Sequence, residues 1–334
     1  MILISSREDT FDTNHGIGLI LHRLKLKMNF DVRHAPTLSF LDAFLAFSNV
    51  LIYFLIGRFV QRESSNSSIV MDDWRLIGRV GISQLSSLRL LHIDSRYRYA
   101  RNRYLRSKNL YNLLKVIFYL VFEKMLFRCI RTVLVSSDDI RAFSSPDMIT
   151  VIPNGVLPPT SDARVDSELK SAIFYGNMDY AENYECANFS DAYISPILKE
   201  HGFSLTIAGT NSHVLKLKNS FVYGKFDDLS SFLAEYDILM SYLLSGAGIK
   251  NKVLEAMSHG LIVIGTSLSF DGIVEAQSWK NCIVVSDIFE LGAALARLKN
   301  MPATQIIEIR NQGVEVAAKY SWEEAIRKYI EFFD

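Results

Sequence analysis

Three cysteines in 334 residues leave little for a disulfide framework, and their positions leave nothing for a metal site. Cys129, Cys186 and Cys282 lie far apart without ligand spacing, so they read as small buried hydrophobes of a reducing compartment. Net charge is missing as well. The 36 Lys and Arg balance 36 Asp and Glu, which removes any global argument for nucleic acid as a partner. The N-terminus, MILISSRED, has no basic start and no long apolar core, so no signal peptide is read. Long hydrophobic runs are also lacking. The best candidate, residues 40–60, contains Asp42, Asn49 and Arg58, and its part between the charges is 43–57. That falls short of the roughly 20 residues a membrane crossing needs, so a buried or interface-lying helix is expected. No sequence repeat is seen.

What remains is a core-forming chain, 49% hydrophobic and 22% charged, of a length suited to two domains. Apolar strand-like runs alternate with helical stretches. In the first half the strands are expected at 2–5, 30–34, 69–71, 88–93, 132–135 and 148–152, with helices at 17–26, 40–59 and 111–128. A polar stretch with a Pro-Pro pair, 157–170, reads as a linker. In the second half strands are expected at 172–175, 204–208, 220–223, 237–241, 261–264 and 282–285. Helices at 181–201, 227–235, 249–259 and 289–299 fall between them, and two more, 304–319 and 322–333, close the chain. This alternation implies an α/β protein of two doubly wound, Rossmann-like domains facing across a cleft. Ligands of such sheets bind at the carboxyl ends of the strands.

One stretch concentrates the chemistry: residues 245–260, SGAGIKNKVLEAMSHG. A small-residue turn with Gly246 and Gly248 leads through Ile249, Lys250 and Asn251 into a helix. A helix start of this kind offers N–H groups and the positive dipole end to a phosphate. Lys252, Glu255 and His259 are spaced to share one helix face. A lysine can meet phosphate charge, and a carboxylate one turn on can accept from two vicinal hydroxyls, which together suit a nucleoside diphosphate. The same residues also make an ordinary surface helix with an ion pair. Small and polar residues recur at other strand ends, including Gly176 and Asn177. In the first half, His15, Gly16 and Gly18 lie in a loop after the first strand, and Asp94 follows the fourth beside Ser95. Asp94 could bind or deprotonate an acceptor hydroxyl, or cap the next helix. Asp72-Asp73 invites a metal reading that nothing else supports. Residues 96–108 hold six cations, Arg96, Arg98, Arg101, Arg103, Arg106 and Lys108, with three tyrosines. They read as a solvated helix face, an anionic-membrane or diphosphate contact, or a nucleic-acid patch.

Several pieces resemble the retaining glycosyltransferases of the GT-B fold, broadly family 4. They are IPNGV (152–156), YGNMDYAEN (175–183), LTIAG (205–209), GIKNKVLEAMSHGLIVIGT (248–266), FDGI (270–273) and YSW (320–322), in the family's order. The short GIKNKVLEAM form is similar to a bacterial polysaccharide-assembly branch. The resemblance implies a sugar moved from a nucleoside-diphosphate donor to a lipid-linked saccharide acceptor, with no cofactor and no metal. It implies an acceptor domain over 1–158, a donor domain over 159–318 and a helix, 319–334, packing back on the first. Glu255 would bind the donor ribose, and the turn with Gly246, Gly248 and Ile249 the diphosphate. Lys250 or Lys252 would add charge, with Asn251 at the helix start. Gly176, Asn177, Gly16 and Gly18 would line the donor site, and His15 and Asp94 are the catalytic candidates. A cytoplasmic enzyme is expected, peripheral on the inner face of the plasma membrane, with no nucleic-acid partner. Two departures stand out: Ala247 replaces the family's earlier acid, and GNMDYAEN replaces its basic pair. These keep a non-catalytic partner subunit, or a sugar-nucleotide epimerase of the same fold, as alternatives.

Overall fold

The computed structural model describes residues 2–5, 16–25, 27–28, 31–34, 40–56, 69–93, 95–140, 143, 148–157, 169–245 and 248–333. The chain divides into two units, Met1–Asn154 with Glu323–Asp334, and Gly155–Trp322.

The first unit is built on six parallel strands: β1 (Ile2–Ser5), β2 (Asp31–His34), β3 (Ile69–Met71), β4 (Leu88–Ile93), β5 (Arg131–Leu134) and β6 (Ile149–Val151). Their order is β2-β1-β3-β4-β5-β6. The helices are α1 (Gly16–Lys25), α2 (Phe40–Ile56), α3 (Arg96–Ser107) and α4 (Leu110–Cys129). Gly16 and Gly18 thus sit in the first turn of α1 rather than in a loop, because the helix begins at Gly16. Asp42 and Asn49, seven apart on α2, both face the 3-10 turn Trp74–Arg79. Asp42 grips Arg79 at 2.7 and 3.0 Å, and Asn49 donates to the Ile77 and Val80 carbonyls. The polar residues that interrupt this apolar run are therefore its docking points. Leu41, Phe44 and Leu55 on the same helix stay exposed. No described helix is long and apolar enough to cross a membrane. Asp72 accepts from Ser5 Oγ at 2.6 Å, and Asp73 caps the 74–79 turn while pairing with Arg75. Both aspartates are spent on local structure.

The second unit repeats the design with β7 (Ser171–Tyr175), β8 (Ser204–Ala208), β9 (Phe221–Gly224), β10 (Ile238–Ser241), β11 (Ile262–Gly265) and β12 (Ile283–Val284). Every pairing is parallel, in the order β12-β11-β10-β7-β8-β9. The order reverses between β7 and β10, the point where such sheets open a ligand crevice. Buried apolar side chains such as Phe174, Ile207, Met240 and Ile264 form its core, as strands covered on both faces require.

Three helices differ from expectation. The stretch 181–201 is α5 (Ala181–Phe189), a π turn Ser190–Ile194 and α6 (Ser195–Glu200). The π turn holds Asp191, whose carboxylate accepts from the N–H groups of Lys218, Asn219 and Ser220. The stretch 227–235 shortens to α7 (Leu229–Leu233), capped by Asp228. The stretch 249–259 shortens to α8 (Asn251–Ser258), because Lys250 is extended at φ −98° and ψ 93°. α9 (Ile288–Lys299), α10 (Ala303–Ala318) and α11 (Trp322–Phe333) complete the chain. All three cysteines are buried, with no disulfide among them.

The base of the β7–β10 junction is held by Asp237. Its carboxylate accepts from the backbone N–H groups of Lys170 and Ser171 and from Ser171 Oγ. Arg310 of α10, 1% exposed, reaches the other oxygen at 3.5 Å and the Gly260 carbonyl at 3.1 Å. Removing one partner of a buried pair leaves the other uncompensated. Arg310→Ala is expected to cost about 3–5 kcal/mol in urea unfolding. An unchanged midpoint would refute the pairing.

Candidate functional site

The site of the second unit forms at the carboxyl ends of β7 and β10. Tyr175 is the last residue of β7 and is 6% exposed. Its hydroxyl donates to Glu255 Oε2 at 2.8 Å and lies 3.2 Å from the Lys252 carbonyl. One bond thus ties the end of β7 to α8, the helix that follows β10, and fixes the Glu255 carboxylate. Phe226 stands edge-on to Tyr175, ring centroids 5.8 Å apart, and stacks on Phe232 at 4.4 Å. These rings wall the site and lower its effective dielectric.

Lys252 and Glu255 share a face of α8, as their spacing requires. Lys252 lies over the Phe174 ring, 4.7 Å from its centroid, and donates to Asn183 Oδ1 at 2.9 Å. Asn183 in turn donates to the Asn177 carbonyl at 2.9 Å, and the Asn177 side chain accepts from the Asp179 N–H. This chain links the turn after β7 to the lysine. Gly176 and Gly209 make that crowding possible. A Cβ on Gly176 would sit 2.8 Å from Asn183, and one on Gly209, at φ +115°, would sit 2.1 Å from the Gly176 carbonyl.

Burial decides the charges here. Desolvation is the largest influence on Lys252 and brings its ammonium down to about 8, with Glu255 pulling the other way. Desolvation also raises Glu255, against the Tyr175 hydrogen bond and the Lys252 charge. Tyr175 rises well above its ordinary value through burial and the neighbouring carboxylate. A bound anion would restore the lysine's preference for charge.

The other expected residues divide. Gly248, at φ +71°, makes the turn into the helix, and Ile249 is buried. Lys250, at the N-cap, supplies no side-chain cap and folds back so that Nζ meets the Gly248 carbonyl at 2.6 Å. Asn251 opens α8, and the Lys250 carbonyl takes the Val253 N–H at 2.9 Å. His259 does not join Lys252 and Glu255. It is buried at the end of α8, with Nε2 2.9 Å from Ser230 Oγ of α7 and Nδ1 2.8 Å from the Glu255 carbonyl. Gly246, Ala247, His15 and Asp94 lie outside the described residues. Gly16 and Gly18 belong to the first unit, in the helix after β1. Sequence reasoning missed Tyr175 and Asn183 as partners of the pair, though both stand in the strand-end segment 175–183. Only the β7–β10 adjacency brings them to α8.

The electrostatics are directly measurable. Side-chain amine NMR is expected to show Lys252 titrating near 8. Glu255→Gln removes the charge that supports the ammonium, so Lys252 should then titrate lower still. A Lys252 that titrates with the surface lysines would contradict the buried placement.

Known proteins match this arrangement at two levels. Residues 170–300 match the family model described as "Glycosyl transferases group 1". No curated protein matches the chain by sequence. Among solved structures, WaaG, a glycosyltransferase involved in lipopolysaccharide biosynthesis, is 12% identical with a TM-score of 0.65, covering 100% of this chain and 99% of its own. Anabaena HepE in complex with UDP and glucose is 13% identical with a TM-score of 0.64, covering 99% and 98%. S. aureus TarM, holding fondaparinux, alpha-GlcNAc-glycerol and UDP, is 13% identical with a TM-score of 0.59. The match takes in 86% of this chain and spans only 59% of TarM. Residues 170–300 are therefore similar to glycosyl transferases group 1, on a chain whose two Rossmann-like units have the GT-B fold.

Proposed function

We propose that the protein transfers a glycosyl group from a nucleoside-diphosphate sugar to a lipid-linked saccharide in the assembly of a bacterial surface polysaccharide. The observation that carries this reading is the Tyr175–Glu255–Lys252–Asn183 cluster at the sheet's reversal point, inside the segment that matches group 1 glycosyl transferases. Glu255, held on one oxygen by Tyr175, accepts from the donor ribose hydroxyls. Lys252 and the start of α8 face the diphosphate. Transfer then depends on positioning and on stabilising the departing nucleoside diphosphate, which fixed dipoles and a desolvated ammonium supply without reorganisation. A desolvated lysine is a stronger anion partner than a surface one, because its attraction is not screened by water.

His15 and Asp94 are the candidates for contact with the transferred sugar and the acceptor hydroxyl, on sequence grounds. The relatives of lipopolysaccharide assembly and the UDP-bound structures support the donor and acceptor classes. Exposed apolar residues on α2 and α4, flanked by the cations of α3, support attachment to the anionic inner face of the plasma membrane. A non-catalytic binding subunit is the second reading. It is favoured by Ala247, which stands where the pattern of the resembled family has an acid, and by Lys250, whose ammonium is engaged by the Gly248 carbonyl.

Glu255→Ala removes charge-assisted hydrogen bonds worth about 1.5–3 kcal/mol each. Calorimetry is expected to show about a tenfold or greater loss of nucleoside-diphosphate affinity, with glycosyl transfer to a lipid-linked acceptor extract abolished and the fold intact. Wild-type turnover in that variant would defeat the proposal. Nucleotide binding without transfer to any acceptor would favour the binding subunit.

A further inference from the structure

The turn after β7 and the start of α5 have no cation of their own. Residues 176–183, GNMDYAEN, hold two acids, Asp179 and Glu182, and no lysine or arginine. The turn is pinned to the end of β8. The Gly176 N–H donates to the Ala208 carbonyl at 3.1 Å, and the Met178 N–H to the Thr210 carbonyl at 2.9 Å. Asp179 is engaged on that side as well, accepting from Asn211 Nδ2 at 2.8 Å. An anion at this strand end needs a cation from another element, and α8 supplies one.

Lys252 reaches the turn through one residue. Its ammonium donates to Asn183 Oδ1 at 2.9 Å, and Asn183 Nδ2 donates to the Asn177 carbonyl at 2.9 Å. These two partners fix the amide. An ammonium only donates and a carbonyl only accepts, so a flipped side chain would lose both bonds. Asn183 sits in the first turn of α5, whose N-cap is Tyr180. A Cβ on Gly176 would lie 2.8 Å from Asn183 Nδ2, so the amide fits there only beside a glycine.

The chemistry of residue 183 decides what the lysine can do. Among the described residues no carboxylate pairs with the Lys252 ammonium, and its hydrogen-bond partner is a neutral amide. Glu255, one turn along α8, accepts instead from the Tyr175 hydroxyl of β7. The other titratable groups that act on the lysine are Cys186 of α5, whose thiol meets the Tyr242 carbonyl, and Lys250, held by the Gly248 carbonyl. An aspartate at 183 would also accept from the ammonium, and more strongly. It would also cancel the ammonium's charge and repel a phosphate. The amide aims the ammonium and leaves its charge whole.

We propose that Asn183 is a positioning residue for the donor diphosphate, holding the Lys252 ammonium at the turn after β7 with its charge uncompensated. The inference rests on the donor site of the proposed function and adds the residue through which the lysine acts. A carboxylate at 183 would brace α5 against α8 equally well, so charge separates positioning from bracing.

The test is calorimetry on the full chain with UDP, GDP, ADP and CDP. The tightest of them is then followed from neutral pH to about pH 9.5, a window that brackets the lysine's titration. Burial disfavours the Lys252 charge, and its ammonium loses its proton at about pH 8. Wild-type affinity is therefore expected to hold below that pH and to fall above it. Asn183→Asp pairs the ammonium with a carboxylate and raises its titration. Affinity should then be about tenfold weaker at neutral pH and should no longer fall across the window. Asn183→Ala removes a hydrogen bond to the charged form, so affinity should drop and its fall should begin at a lower pH than in wild type. Asn188→Asp adds the same charge farther along α5, where the side chain meets the Tyr184 carbonyl, and should keep the wild-type profile. Equal losses in both Asn183 variants with the wild-type pH profile would reduce Asn183 to a brace and overturn the proposal. Wild-type affinity in either variant would overturn it too. If the aspartate variant does not fold, an unshifted onset in the alanine variant overturns it alone. Nucleotide binding in wild type beside any of these outcomes sinks only the role of Asn183. No binding of any nucleoside diphosphate to the folded wild type sinks the donor site and this role with it.

Discussion

A single hydrogen bond, from the Tyr175 hydroxyl to the Glu255 carboxylate, joins segments 80 residues apart. It can form only because β7 and β10 are neighbours, and they are neighbours because the strand order reverses between them. Everything in the donor cluster follows from that adjacency. The strand end brings Tyr175, its following turn Asn177, the start of α5 Asn183, and the helix after β10 Lys252 and Glu255. Burial then lowers the Lys252 ammonium and raises the Glu255 carboxyl, against their mutual attraction. The Asp237–Arg310 pair at the opposite end of the same junction keeps the two strands in register.

Much of this was legible in the chain. The strands of both units are visible as apolar runs, since strands buried on two faces cannot alternate with polar residues. The Lys252–Glu255 spacing predicts a shared face, and the structure has one. The helix boundaries were harder. Asp191 draws three backbone N–H groups and opens a π turn within what periodicity reads as one helix. Lys250 is extended although nothing in its type forbids helix. His259 fits the Lys252–Glu255 spacing, yet the helix ends beneath it and Ser230 of α7 takes the ring. The Asp191 and His259 contacts are tertiary and override a local pattern, which a sequence window cannot contain.

The basic segment 96–108 shows the same limit in another way. As sequence it is one run of charge, open to several readings. The fold sorts it by helix face. Arg98 is turned to buried Asp139, Arg103 donates to the Tyr99 hydroxyl, and Glu123 takes the Arg96 N–H at the helix start. In the second unit Lys252 and Glu255 are likewise sorted by contact, Lys252 to Asn183 and Glu255 to Tyr175.

The most direct measurement of the central claim is hydrogen exchange with and without a nucleoside diphosphate such as UDP. The account predicts slowed exchange in two separated segments, 175–183 and 248–258, and its loss in Tyr175→Phe. Protection confined to other segments, or none with any nucleoside diphosphate, would contradict the assignment of the donor site.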